Sequence, residues 1–314
     1  MEAPVPRPQD DPLAPTPGSV TDRLPFCPQK TDRPRHVLDF LRQAMEAGQA
    51  AALVLLVGIE GSASRSLGTI MAVREDGAYC GYVSGGCIEA AIATEALSAL
   101  QTGKDRLIRF GKGSPFFDIT LPCGGVLELL VHVLRDGAPI RAVLAQLASR
   151  QPATLVYDKD HARLMAQPSN AQTGWQDVRF VTHFTPPVRI VVMGESLEAE
   201  ALIRVAQAAN VDIARRDGRH GLGKIDAHTA IAFLHHSAED DEPLLTRALL
   251  SEAFYVGYLG GRQTQHRRRQ GLATAGLDQI AMERLHGPIG LFGPARDASS
   301  LAVSVLAEIL SKRA

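Results

Sequence analysis

Three short segments carry the residue types from which chemistry could be built. Gly61-Ser62-Ala63-Ser64-Arg65-Ser66-Leu67-Gly68 joins hydroxyls to one guanidinium, and Ser84-Gly85-Gly86-Cys87-Ile88-Glu89 sets a thiol beside two glycines. Leu121-Pro122-Cys123-Gly124-Gly125 repeats the pairing of a cysteine with two glycines. Glycines ahead of a helix let backbone N–H groups turn toward a ligand, and the helix N-terminus favours negative charge. Cys87 falls at such a start, where the helix end favours the thiolate. Arg65 offers a planar fork for phosphate or another oxyanion. Ser62, Arg65, Gly85, Gly86, Cys87, Glu89, Cys123, Gly124 and Gly125 therefore outline a site for an anionic ligand met by sulfur. The plain alternative makes each cysteine a small buried hydrophobe in a tight turn and pairs Arg65 with a nearby acid. The coincidence of three such loops favours the ligand site.

The other chemical signals are weaker. Cys87 and Cys123 lack a second cysteine or histidine at the close spacing of structural zinc sites. His235-His236 follows an expected strand but reads as a hydrogen-bonded loop. Gly194-Glu195-Ser196 stands where a dinucleotide fold carries its glycine fingerprint, yet Ser196 replaces the second glycine. Glu195 and Glu198 add negative charge where a pyrophosphate would bind, which argues against NAD(P), and Asp217 is a weak ribose-binding acid. Gly257-Tyr258-Leu259-Gly260-Gly261-Arg262 is a better ligand loop, with Gly260 and Arg262 as its contacts. The basic run His266-Arg267-Arg268-Arg269 that follows reads either as a face toward an anionic ligand or partner or, with slightly more weight, as a solvated helix face. There is no catalytic triad, paired acid and base, P-loop or metalloprotease motif, so the chain does not read as a self-sufficient hydrolase.

The elements that must position these residues are those of an α/β protein. The 314 residues are 45% hydrophobic and 21% charged, with 33 basic against 34 acidic side chains, so nothing marks a nucleic-acid or membrane partner. Four scattered cysteines and no signal segment point to free thiols in a reducing cytoplasm. Residues 1–34, rich in proline and lacking apolar periodicity, are expected to be a disordered leader that includes Cys27. From Arg35 the spacing of Val37, Leu38, Leu41 and Met45 predicts a helix, Leu53–Ile59 a buried strand, and Asp76-Gly77 the turn of a hairpin. A helix near Ile88–Leu100 and strands at Leu107–Phe110 and Val126–Leu134 complete an α+β unit over 35–187. After Pro186-Pro187, strands alternate with helices through 188–314, predicting a Rossmann-like, doubly wound parallel sheet.

The same residues resemble the XdhC/CoxI family, the accessory proteins of molybdenum hydroxylases such as xanthine dehydrogenase and aldehyde oxidoreductases. The resemblance is carried by Gly61 through Arg65, Gly68 and Met71, Asp76-Gly77, Gly85-Gly86-Cys87-Ile88-Glu89 and Cys123-Gly124-Gly125. Tyr255 through Arg262, Pro288-Ile289-Gly290-Leu291 and Ala302 through Ile309 extend it, so that it spans Arg35 to Lys312. Ser64 stands where the family usually has proline, Gly261 where it usually has serine, and Ser196 breaks the glycine turn. The resemblance implies a chaperone rather than an enzyme. It implies that the chain carries molybdenum cofactor, as molybdopterin or molybdopterin cytosine dinucleotide, supports its sulfuration and inserts it into an apo molybdenum hydroxylase. Cys87 and Cys123 are then the candidate molybdenum contacts, since molybdenum favours soft sulfur ligands. The implied partners are the large subunit of the hydroxylase, a cysteine desulfurase, a molybdopterin nucleotidyltransferase and a second copy of the chain. The cofactor is expected between the two domains, away from the dinucleotide cleft. The rival readings are an NAD(P)-dependent oxidoreductase and a structural subunit of a hydroxylase complex.

Overall fold

The computed structural model describes residues 24–112, 124–168, 171–216, 221–235, 242–274 and 276–313. Two compact units divide between Thr185 and Pro186. The first contains β1 (Phe26–Gln29), α1 (Pro34–Glu46), β2 (Ala51–Glu60), β3 (Ile70–Arg74), β4 (Ala78–Cys80), α2 (Glu89–Thr102), β5 (Arg106–Phe110) and β6 (Val126–Val133). It continues with α3 (Ala138–Ala148), β7 (Ala153–Asp158), β8 (Arg163–Gln167), β9 (Gly174–Gln176) and β10 (Arg179–Phe184). A mixed sheet has the order β1-β4-β3-β2-β6-β5, and a smaller antiparallel sheet has the order β8-β7-β10-β9.

The continuous apolar run of β2 follows from its central place, because helices or strands cover both of its faces. Leu53, Leu55 and Val57 join Leu38 and Leu41 of α1, Ile140 and Val143 of α3, and Tyr157 and Phe180 of the smaller sheet in one core. Ala52, Val54 and Leu56 point the other way, into a core with Ile92, Ala96 and Leu97 of α2. The period of two along a strand divides one apolar run between two cores.

The expected leader extends to residue 34, but Phe26–Gln29 pairs in parallel with β4 as the edge of the larger sheet. Backbone bonding such as Phe26 N–H to the Gly77 carbonyl (3.0 Å) holds it, while most of its side chains stay in solvent. Cys27 thus lies on a strand, with Sγ 3.6 Å from the Tyr82 hydroxyl. An exposed strand held by its backbone leaves no apolar periodicity to read.

The second unit holds β11 (Arg189–Met193), α4 (Leu197–Ala208), β12 (Asp212–Arg216), β13 (Thr229–Phe233), α5 (Glu242–Leu250), β14 (Tyr255–Tyr258), α6 (Arg262–Thr274), α7 (Gln279–Glu283), β15 (Leu285–His286) and α8 (Ala298–Ser311). Its sheet has the order β12-β11-β13-β14-β15, and every pairing is parallel. This is the Rossmann-like architecture expected from the alternating pattern, with the order reversing at β11. The basic run after Gly261 proves to be part of α6. Arg268 lies over the Tyr258 ring, 3.2 Å from its centroid, and Arg269 donates to the Leu285 carbonyl (2.7 Å), so only part of the run is a solvated face. Among the described residues, no helix is long and apolar enough to cross a membrane.

Asp105, just ahead of β5, ties the two sheets of the first unit together. It accepts hydrogen bonds from the Tyr157 hydroxyl (2.9 Å) and Val133 N–H (3.0 Å), and pairs with His132 Nδ1 (2.6 Å) and Arg135 (3.2 Å). Burial alone would raise its carboxyl, but the hydrogen bond and attraction from His132, with Val133 N–H and Tyr157, hold it below the usual carboxylate value. Burial, with the bond to Asp105, pushes the Tyr157 hydroxyl up.

Two predictions follow from these contacts. Asp105→Ala should cost about 3 kcal/mol, the loss expected when one partner of a buried ionic cluster is removed. A lowered folded value makes the Asp105 contribution complete above its unfolded value of about 3.9 and lost as pH falls through the folded value. Thermal melts from pH 6 to 2 should therefore fall less steeply for Asp105→Asn than for the native chain. Separately, a chain beginning at Thr31 should melt below one beginning at Leu24. Losing about 1 kcal/mol of edge pairing corresponds to about 2–4 °C, and equal melting temperatures would show that β1 adds nothing.

Candidate functional site

The antiparallel pairing of the larger sheet gathers the glycine-rich segments at one end. Glu60, the last residue of β2, faces Val126, the first of β6, while Leu55 faces Ile70, the first of β3. The loop leaving β2, the loop leaving β4 and the segment entering β6 therefore emerge together. A bulge between Leu56 and Gly58 interrupts the β2–β6 register, and the Trp175 indole N–H donates to the Val57 carbonyl there (3.0 Å). Bulges bend the strand that carries them and re-aim the residues beyond.

Close contacts join the three segments. Ser64 Oγ donates to the Ser84 carbonyl (2.7 Å), linking the serine–arginine loop to the Gly-Gly-Cys loop. A Cβ at Gly125 would fall 2.1 Å from the Ser62 carbonyl oxygen, so only glycine lets these backbones meet. Gly85 and Gly86 have φ of +88° and +112°, a left-handed region closed to most side chains, and they reverse the chain ahead of α2.

Glu89 fixes that reversal. It is 2% exposed, and its carboxylate accepts from Ser84 N–H (2.8 Å), Ser84 Oγ (2.7 Å) and Ile88 N–H (3.3 Å). Ser84 Oγ in turn accepts from the N–H groups of Cys87 and Ile88, both at 3.2 Å. The carboxylate lies in the first turn of α2, where the helix end stabilises its charge. Glu89 thus faces inward and shapes the loop. Cys87 sits just before the Ile88 N-cap as an exposed free thiol. Cys80 is buried, and desolvation raises its thiol to about 11.

Arg65 pairs with Asp32 (3.1 Å) and lines a cavity of about 380 Å³. Ser62, Arg65, Gly85, Gly86, Cys87, Glu89, Gly124 and Gly125 all belong to this one end of the sheet. Cys123 lies outside the described residues, as do Asp217 and His236. Asp32 and His183, which also line the cavity, carried no signal in the sequence. They come from a flank of α1 and from the smaller sheet, far from the glycine loops along the chain. Among the described residues, no group of three or more His, Cys, Asp and Glu is placed to hold a metal ion.

In the second unit, Gly260 and Gly261 follow β14, and Arg262 opens α6. The turn after β11 is occupied by its own contacts. Ser196 Oγ donates to the Leu234 carbonyl and accepts from Ala199 N–H (3.2 Å), capping α4. A Cβ at Gly194 would lie 2.9 Å from the Leu234 carbonyl oxygen, so this turn is pressed against the end of β13. The serine that breaks the glycine fingerprint is a helix cap.

Glycine-rich loops gathered over a mixed sheet, followed by a parallel sheet whose glycine turn is replaced by a capping serine, define a two-unit protein with a Rossmann-like second unit. The model of the XdhC and CoxI family matches residues 44–111, and that of the XdhC Rossmann domain matches 190–309. The chain belongs to the XdhC and CoxI family. It is 44% identical over 285 residues to the molybdenum cofactor insertion chaperone PaoD of Escherichia coli, covering 90% of each chain. It is 25% identical to the uncharacterized protein YqeB of the same organism, over 82% of this chain and 43% of that one. A crystal structure described as a xanthine dehydrogenase from Bacillus halodurans shares the fold. That match has a TM-score of 0.69 at 18% identity and covers 88% of this chain and 95% of the other.

Removing the Glu89 carboxylate should loosen the Gly-Gly-Cys loop before it affects the sheet. Glu89→Ala is expected to cost about 2 kcal/mol, since it orphans buried donors. Hydrogen exchange should accelerate at the amides of Ser84 and Ile88 while those of β2 stay protected.

Proposed function

We propose that this protein is an accessory chaperone that holds molybdenum cofactor and inserts it into an apo molybdenum hydroxylase. The observation that carries this reading is the convergence of three glycine-rich segments at one sheet end, with the Cys87 thiol exposed among them. The likeness to PaoD supports the cargo and the act of insertion. The cofactor is a pterin that carries a dithiolene, which holds the molybdenum, and a phosphate. Cys87 and Cys123 are the soft donors suited to the metal end, and Arg65 with the backbone N–H groups suits the phosphate.

The chain also supports sulfuration of the cargo in this reading, with a cysteine desulfurase as the sulfur source. A molybdopterin nucleotidyltransferase supplies the cofactor when it is the cytosine dinucleotide, and the hydroxylase large subunit receives it. An exposed thiol on a loop of fixed shape suits such a transfer because it can be approached from solvent. The NAD(P)-dependent alternative is opposed by Ser196, whose hydroxyl is spent on Ala199 N–H and the Leu234 carbonyl.

Purification from a host that makes molybdopterin should yield protein with bound pterin and molybdenum. Cys87→Ser together with Cys123→Ser should lower the molybdenum content several-fold and leave the thermal melt nearly unchanged. Normal metal content in the double variant would remove the thiols from the role. Purified protein that binds NAD(P) and no pterin would favour the oxidoreductase.

A further inference from the structure

We infer that the cavity beside the Gly-Gly-Cys loop is a receptor for a phosphate group, in which Asp32 stands in for the ligand by holding Arg65 until phosphate displaces it. This rests on the cofactor-holding reading and deepens it, adding Asp32 and His183 to the site. The cavity of about 380 Å³ falls near the lower end of the ~300–1,000 Å³ usual for small-molecule pockets. Its wall combines Ser64, Arg65 and Ser66 of the loop after β2, His183 of β10, and Asp32 with Pro34 at the start of α1. Three segments distant in sequence thus turn polar groups into one space.

The local charge favours an anion. Arg65 uses one N–H, to Asp32, and a guanidinium has five donors to offer. The His183 ring adds a further polar group, and its Nδ1 lies 3.4 Å from Thr154 Oγ1. The N-terminus of the 13-residue α1 also reaches this wall through Pro34. It has no side-chain cap and no acidic residue in its first turn, so the helix end adds positive potential to this wall.

Asp32 is suited to be displaced. Its side chain is 58% exposed and its bond to Arg65 is single and 3.1 Å long, and exposed pairs of this kind contribute little. A phosphate presents several oxygens, can engage the guanidinium through two parallel bonds, and carries more charge than a carboxylate. Released into solvent, Asp32 regains its hydration at small cost. Ser64 joins this event to the thiol loop, since it lines the cavity and also donates to the Ser84 carbonyl. A phosphate seated here places the remainder of its molecule beside the loop that carries Cys87.

The test uses full-length protein from a host that makes no molybdopterin, titrated calorimetrically with inorganic phosphate and, in a second arm, with pyrophosphate. Asp32→Asn should tighten binding of the preferred anion roughly tenfold, and Arg65→Ala should weaken it at least as much. Arg65→Lys should recover only part of the loss, because it keeps the charge without the fork. His183→Ala should weaken binding by a smaller factor, with circular dichroism confirming that each variant is folded. Preference for inorganic phosphate marks a terminal monoester as the natural group, and preference for pyrophosphate marks a dinucleotide. Binding of neither anion, or unchanged affinity in Asp32→Asn, overturns the inference. Pterin retention by the same variants separates the two proposals. Phosphate binding that responds as stated, without pterin retention, would sink the chaperone reading alone. Pterin retention unaffected by Arg65→Ala would sink the phosphate receptor alone.

Discussion

Glu89 carries its carboxylate into the interior at the first turn of α2, and the geometry of the candidate site depends on how that buried charge is satisfied. Taking an isolated carboxylate out of water is expensive unless donors replace the lost hydration. Here the donors are Ser84 N–H, Ser84 Oγ and Ile88 N–H, so the cost is offset only when the chain between Ser84 and Glu89 folds back on itself. Two glycines with positive φ make the reversal feasible, and Cys87 is left at its outer edge. Through Ser64, which donates to the Ser84 carbonyl, the same constraint reaches the loop that carries Arg65. The loops that carry the thiol and the guanidinium are thus joined by one chain of hydrogen bonds beginning at a carboxylate that faces inward.

The second unit uses the same device. Glu308 of α8 accepts from the Tyr255 hydroxyl (2.7 Å) and from Gly290 N–H (2.6 Å), and burial with that bond drives the Tyr255 hydroxyl far up. Ser304, fully buried one turn earlier, accepts from Phe292 N–H (2.9 Å) and donates to the Phe292 carbonyl (2.6 Å). Acidic and hydroxyl side chains on one helix thereby pin the segment Pro288 through Phe292. The family-like residues Tyr255, Gly290, Ser304 and Glu308 are explained by this clamp and need no ligand. Those of the first unit differ, because beyond the clamp they leave an exposed thiol at Cys87 and a guanidinium at Arg65 that lines a cavity.

Most of the architecture was legible because apolar periodicity reports burial directly. Leu53 to Ile59 read as a buried strand and lies within β2, buried through Val57 because both faces are covered there, and the alternation after Pro187 read as a parallel sheet. The strand Phe26–Gln29 left no such trace because its pairing is made by backbone groups, which every residue carries. The basic run of α6 was legible only in part. Its run of arginines reads as a solvated face, whereas Arg268 packs on Tyr258 and Arg269 bonds the Leu285 carbonyl, contacts that no local pattern encodes.

The sequence by itself determined the family, the two-unit α/β organisation and the residue types of the site, because glycine pairs, cysteines and apolar spacing are local properties of the chain. It also marked Ser196 as a break in the dinucleotide fingerprint. The tertiary structure decided what each residue does. Glu89 turned inward because its partners Ser84 and Ile88 are completed only by the folded loop, and Ser196 became a cap because β13 brings the Leu234 carbonyl to it. Asp32 and His183 reached the Arg65 cavity from positions 33 residues before and 118 residues after that arginine. A sequence records which groups are present. Only the packing of sheets and helices decides which distant groups share a low-dielectric space, and there the energies of charge and hydrogen bonding become large enough to fix a site.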